Sequence, residues 1–141
     1  MNNLCRAYHH DDLEALRRLM LELGYSIELN ELDKNVNEIY KKDGEIFVAE
    51  EDENVVGCVC VLIDARLAEG VYAEIVSLIV SEKVRGKGIG KQLVQEAESW
   101  ASKRVKKIRV RANEIRSGAH AFYQKQGYEE VKTQKLFMKK L

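Results

Sequence analysis

Apolar residues recur at helical spacing in DDLEALRRLMLEL, where Leu13, Leu16, Met20 and Leu23 line one side of a helix. Asp11 or Asp12 can cap it, and Gly24 ends it. IELNELDKNVNEIYKK keeps the same period with more polar residues and predicts a second helix, broken near Asn30. Elsewhere the first half reads as strands. LCRAY (4–8) is short; EIFVAEE (45–51) and VVGCVCVLIDA (55–65) flank the acidic tip DEN as a hairpin. VYAEIVSLIVS (71–81) follows, and plain alternation puts Glu74, Val76, Leu78 and Val80 on one face, opposite Ile75, Ser77 and Ile79. Beyond a glycine-rich turn, GKQLVQEAESWASK is helical and KKIRVRAN (106–113) is a strand. SGAHAFYQKQ (117–126) is a short helix stopped by Gly127, and YEEVKTQKLFMKKL a terminal strand or pair of strands.

The order β-α-α-β-β-β-α-β-α-β implies an α/β (or α+β) fold: a mixed, mostly antiparallel central sheet with helices on its faces. The 141 residues suit one domain, 1–141, with no internal repeat or low-complexity linker, and no proline occurs anywhere. No run of about 18 apolar residues is present, which excludes a membrane-spanning helix. The N-terminus has acidic residues where a secretion signal needs an apolar stretch. Cys5, Cys58 and Cys60 are an odd set, expected in a reducing cytoplasm rather than in a disulfide framework. Cys58 and Cys60 alternate, so they share one face of a buried strand, and a metal site lacks further ligands.

Charge changes the picture. The chain is neutral overall, yet residues 1–82 carry a net charge of −11 and residues 83–141 of +11. One half is suited to an anion and the other to a cationic partner, unless solvated charge has merely segregated along the chain. Nucleic acid is not indicated, because neither a basic arm nor aromatic residues interleaved with basic ones appear.

The anion candidate is VRGKGIGKQL (84–93), where three glycines in five residues run straight into a helix. Unpaired N–H groups of a first helical turn and the helix dipole favour negative charge, and glycines let a phosphate reach the main chain. Arg85, Lys87 and Lys91 would add charge. The dinucleotide fingerprint fails because Lys91 stands at its last glycine. The nucleotide P-loop fails at Arg85 and Gln92.

What does match is R-x-x-G-x-G, as Arg85, Gly88 and Gly90 behind LIVSEKV. Here the chain resembles the GNAT superfamily of acetyl-CoA-dependent N-acetyltransferases. AHAFYQKQGY (119–128) is similar to the family's second motif, an Ala-x-x-Phe-Tyr helix ending in Gly-Tyr or Gly-Phe. Residues 71–128 carry the resemblance, and the element order extends it. Where many relatives have proline after the strand, this chain has Ser81-Glu82, which bears on the rigidity of the turn.

The resemblance implies acetyl-CoA (coenzyme A) as co-substrate and acetyl transfer to an amine by direct attack in a ternary complex. The implied cofactor contacts are Leu78, Ile79 and Val80 along the pantetheine arm and Arg85, Gly86, Lys87, Gly88, Ile89, Gly90 and Lys91 around the pyrophosphate. Asn113 would hold the cofactor or a water, or simply end a strand. A main-chain N–H near Val80 would receive the oxyanion. Tyr123 lies where relatives place a general acid beside the cofactor sulfur; without the resemblance it reads as a packed aromatic. Glu74, a carboxylate within an apolar strand, is the candidate base, directly or through a water, with a substrate-orienting carboxylate as its alternative. His9, His10 and His120 read as capping or surface residues, and Trp100 as packing.

Acceptors in this family lie against the first two helices, here carrying Glu22, Glu28, Glu31, Asp33 and Glu38. That implies a cationic small-molecule amine, with the aminoalkylphosphonate and aminoglycoside types as examples. A phosphonate would want Arg6, Arg66 or Arg116 nearby. The alternatives are a protein N-terminal or lysine acetyltransferase and a non-catalytic acetyl-CoA-binding module. A homodimer is implied only by the family.

Overall fold

The computed structural model of the chain describes residues 3–112 and 117–141. They fall into two compact units, Met1–Val110 and Arg111–Leu141, taken here in turn. The first holds a five-stranded sheet in sequential order: β1 (Asn3–Ala7), β2 (Gly44–Glu51), β3 (Asn54–Arg66), β4 (Gly70–Val80) and β5 (Ile108–Val110). The first three pairings are antiparallel and the last, β4 with β5, is parallel. Helices α1 (Leu13–Glu22) and α2 (Leu29–Lys41) and helix α3 (Ile89–Ser102) complete the unit.

Period-two alternation along β3 divides the core in two. Cys58 and Cys60 join Leu13, Leu16, Leu19, Leu32 and Val36 in one cluster beneath α1 and α2. On the other face, the next positions Val59 and Val61 are fully buried, as are Leu93, Val94 and Ala97 of α3. Full burial of a side chain such as Leu93 contributes about 1.5–3 kcal/mol. Gly57 lets α3 come close: a Cβ there would lie 3.1 Å from Leu93 Cδ1 and 3.0 Å from the Ile79 carbonyl.

Helix α1 starts at Leu13 with Asp12 at its N-cap position, as the sequence predicts, although the Asp12 side chain makes no capping hydrogen bond to α1. His9 caps a 3-10 turn (His10–Asp12), its ring accepting from the Asp11 N–H while Asp12 accepts from the His9 N–H. Asp12 is buried and takes two hydrogen bonds from Arg6, at 2.8 and 2.9 Å, which hold its carboxyl below the usual carboxylate range. Arg6 also binds Glu50 at 2.6 Å and so ties β1 to β2 and to the helix entrance. The predicted break near Asn30 does not occur. That residue is the second of α2, in the first turn, where N–H groups have no helical partner in any case.

In the second unit, α4 (Ser117–Lys125) ends on Gly127 with paired hydrogen bonds, Gly127 N–H to Gln124 O and Tyr128 N–H to Tyr123 O. This is the Schellman pattern. The predicted terminal strand is absent: residues 128–141 have no regular structure. Leu136, Phe137 and Met138 are consecutive rather than alternating, and all three are 82–88% exposed. A strand needs a ladder partner, and the described residues of this unit include no strand to pair with.

Candidate active site

Between Val80 and α3 the chain makes a short 3-10 turn, Glu82–Val84, then Arg85 and the glycines. Gly86 (φ +85°) and Gly88 (φ +81°) are left-handed, a region that costs other residues energy, and Gly88 occupies the N-cap of α3. A Cβ on either would meet nothing within 4 Å, so no protein atom crowds that side of the main chain. The first turn of α3 has no side-chain cap and no acidic residue. Its leading N–H groups, at the positive end of the helix dipole, therefore face outward beside exposed Arg85, Lys87 and Lys91. Lys87 is steadied by Glu51 at 3.3 Å. Ile89 is buried and anchors the turn to the core; Gly90 is half-buried.

The edge of β4 opens where this turn begins. β5 pairs only with Ala73, Glu74 and Ile75, so among the described residues Val76 to Val80 have no strand neighbour on that side. The Ser81 N–H bonds across to Val56 O on β3. By strand alternation, the N–H and C=O of Val80 and Leu78 point to the open edge. Ile79 puts its side chain into the core beneath α1 and α2. These groups fit an extended polar chain laid alongside them, just as the α3 terminus fits a phosphate.

The face assignment of β4 must be corrected. Val61 pairs with Ile75 but Cys60 pairs with Ser77, so Val76 is an extra residue in a β-bulge. Leu62 faces Glu74, Cys60 faces Ser77 and Cys58 faces Ile79. Glu74, Ser77 and Ile79 therefore share the face toward α1 and α2, rather than Glu74 sharing one with Leu78 and Val80. Glu74 is 8% exposed, and its Oε1 accepts from Arg109 Nε of β5 at 2.8 Å. Arg109 also reaches Glu69 at 3.4 Å and lies 4.0 Å over the Tyr72 ring. Among the described residues its buried Nη2 has no hydrogen-bond acceptor, and the Tyr72 face lies against the guanidinium.

A cavity of about 450 Å3 opens on this same face. Leu16 and Met20 of α1 and Leu32, Val36 and Ile39 of α2 form its walls. Cys58, Cys60 and Ser77 form its floor. Burial pushes both thiols up to about 12, so they behave as small neutral groups.

Residues 42–130, more than half of the chain, match the family model of the acetyltransferase (GNAT) domain. The chain belongs to the GNAT family. An uncharacterized N-acetyltransferase of Chlorobaculum tepidum is 34% identical over 121 residues, which are 85% of this chain and 71% of that protein. A solved transcriptional regulator from Bacillus halodurans is 25% identical with a TM-score of 0.85, covering 97% of this chain and all of its own. An aminoglycoside N-acetyltransferase in complex with CoA has a TM-score of 0.88 at 18% identity, covering 99% and 96%. The protein is thus an N-acetyltransferase in a family that uses acetyl-CoA.

The other residues singled out in this GNAT chain are placed as follows. Tyr123 is half-buried on α4, edge-on to Phe122 and Tyr128, and burial raises its phenol above the ordinary value. Asn113 and Arg116 lie outside the described residues. Arg6 is committed to Asp12 and Glu50, and Arg66 to Asp64 and the Tyr72 hydroxyl, so neither is spare for a phosphonate. Of the five acidic residues on the first two helices, only Glu31 lines the cavity. Trp100 is half-buried, with Arg104 stacked 4.3 Å over its ring. Among the described residues no cluster could hold a metal ion, and no helix is long and apolar enough to cross a membrane.

Sequence reading assigned Glu22 to the acceptor side and missed its contact with the turn after β4. From the last turn of α1 its carboxylate accepts from Ser81 Oγ at 3.2 Å and from the Glu82 N–H at 3.1 Å. It clamps the turn at the place where relatives have proline. Glu22→Ala should raise the KM for acetyl-CoA by about five- to tenfold, the net worth of roughly one ordinary hydrogen bond. Adding Glu82→Pro should restore it, because proline fixes φ and needs no acceptor at the start of a helical turn. Ser81 already has the extended backbone that a following proline demands (φ −57°, ψ 140°). Steady-state kinetics of the single and double variants test this, and no recovery in the double variant would refute the clamp.

Proposed function

We propose that the chain transfers the acetyl group of acetyl-CoA to a primary amine of a small molecule, both substrates being bound together. What carries the proposal is the uncapped α3 terminus, with its left-handed glycines, continuous with the open edge of β4. The N–H groups from Gly88 to Lys91, with Arg85, Lys87 and Lys91, hold the pyrophosphate. Main-chain groups of Leu78 and Val80 hold the pantetheine arm, and Ile79 fixes their strand from the core. Acetyl-CoA supplies an already activated thioester, so orientation of the two reactants is the protein's main contribution.

The remaining chemistry falls to a few groups. The Val80 N–H receives the negative charge that develops on the acyl oxygen. Glu74, one oxygen of which is held by Arg109, takes the proton released as nitrogen bonds to carbon. Tyr123 Oη gives a proton to the departing sulfur as the carbon–sulfur bond breaks. The net products are an amide and a thiol. The raised phenol suits that role, since the hydroxyl stays protonated past about pH 10.

The test is thiol release from acetyl-CoA with a panel of amines, alongside calorimetric titration of acetyl-CoA. Tyr123→Phe should lower kcat by about 100-fold and leave acetyl-CoA affinity within about twofold. In the wild type, kcat should not fall on the alkaline side until beyond pH 10. A Phe variant as fast as wild type would remove Tyr123 from the mechanism, and a chain that binds no acetyl-CoA would overturn the whole proposal.

A further inference from the structure

We propose that the acceptor is a monoamine with an apolar body, an alkylamine or arylalkylamine, rather than a polyamine or amino sugar. This rests on the acetyl-transfer proposal above and concerns which amine the cavity between α1, α2 and the sheet accepts. Its walls are aliphatic, and its floor is two neutral thiols and the Ser77 hydroxyl. The polar groups on the helical side are few: Ser26, Glu31, Asn35 and the tyrosine at 25. Among the described residues, Glu31 is the cavity's one charged lining residue.

A single carboxylate balances a single ammonium. Each further ammonium drawn inside would lose its water against side chains such as Met20 and Val36, with no opposite charge to replace it. An alkyl or aryl body meets the opposite situation, since every methylene buried adds affinity. The first half of the chain is strongly acidic, but several of its carboxylates are held by partners away from the cavity. Glu22 binds Ser81, Asp12 and Glu50 bind Arg6, Glu45 accepts from the Tyr40 hydroxyl, and Glu38 pairs with Lys41. Ser77 sits beside the bulge, where β4 turns its open edge outward, so an amine resting on the floor lies next to the strand that holds the acyl donor.

The experiment compares kcat/KM for propyl-, butyl-, pentyl- and hexylamine, 2-phenylethylamine, spermidine and kanamycin on the full chain. Binding of acetyl-CoA is measured in parallel by calorimetry. Within the alkyl series kcat/KM should climb about fourfold per methylene. Phenylethylamine should exceed spermidine and kanamycin at least tenfold. Glu31→Gln, on an exposed helical position, should lower kcat/KM for every monoamine about tenfold without changing the KM for acetyl-CoA. Val36→Phe should exclude hexylamine before propylamine. Preference for spermidine or kanamycin, or a flat alkyl series, would overturn the assignment while leaving acetyl transfer intact. Acetyl-CoA bound with only a peptide amine acetylated would do the same. No acetyl-CoA binding and no transfer to any amine would overturn both.

Discussion

Gly88→Val should weaken acetyl-CoA binding at least about 100-fold, or roughly 2.8 kcal/mol, in a protein that stays folded. Two effects combine. At φ +81° a residue with a Cβ costs roughly 1–2 kcal/mol, more for a branched one, so the N-cap backbone rotates away. That rotation re-aims the N–H groups of the first α3 turn, and the valine side chain fills space which no protein atom uses. Charge-assisted hydrogen bonds at such a terminus contribute about 1.5–3 kcal/mol each, so losing two is enough. Gly88→Asn should be milder, because asparagine visits the left-handed region more readily. Calorimetric titration of acetyl-CoA into the three proteins gives the order directly. Equal affinity in the valine variant would mean that the turn does not hold phosphate.

Glu74→Gln should lower kcat about 100-fold and also reduce stability. The amide leaves the Arg109 guanidinium, which is 27% exposed, facing a neutral group at the 2.8 Å contact. Breaking a fully buried pair costs 3–5 kcal/mol, and partial exposure of the arginine reduces this to about 2 kcal/mol. For a chain of this length that is a fall in Tm of about 5–10 °C. Stability and chemistry separate in the double variant Glu74→Leu with Arg109→Met, which removes both charges together. It should recover most of the Tm while kcat stays low. Recovery of kcat along with Tm would make Glu74 a structural partner of Arg109 and nothing more.

Much of this architecture is legible in local pattern. Leu13, Leu16 and Met20 mark α1, and Leu93 and Ala97 mark α3, because a helix buries one side every 3.6 residues whatever it packs against. The glycine turn is legible for a similar reason: left-handed backbone and an exposed helix terminus are local properties. Partners across the fold are not. Arg109 meets Glu74 from 35 residues away and Glu22 meets Ser81 from 59, contacts that exist only once strand order and helix faces are fixed. The final strand illustrates the converse. Residues 128–141 have strand-like composition, but propensity describes fit to a pleated surface and does not supply the neighbour. Asn30 misled because polarity in a helix's first turn looks like a break.

Alternation in a strand is a reading frame with two letters, and Val76 is a one-residue insertion in the frame of β4. Everything after it is translated to the opposite side. Pairing Val76 directly opposite Cys60, with no bulge, would turn Ser77 and Ile79 toward α3 and bring Leu78 and Val80 under α1 and α2. The N–H of residue 80 would then point back at β3, and the glycine turn would leave the sheet half a twist out of phase. The donor edge and the acceptor cavity are thus set to face one another by the parity of a single side chain that touches neither.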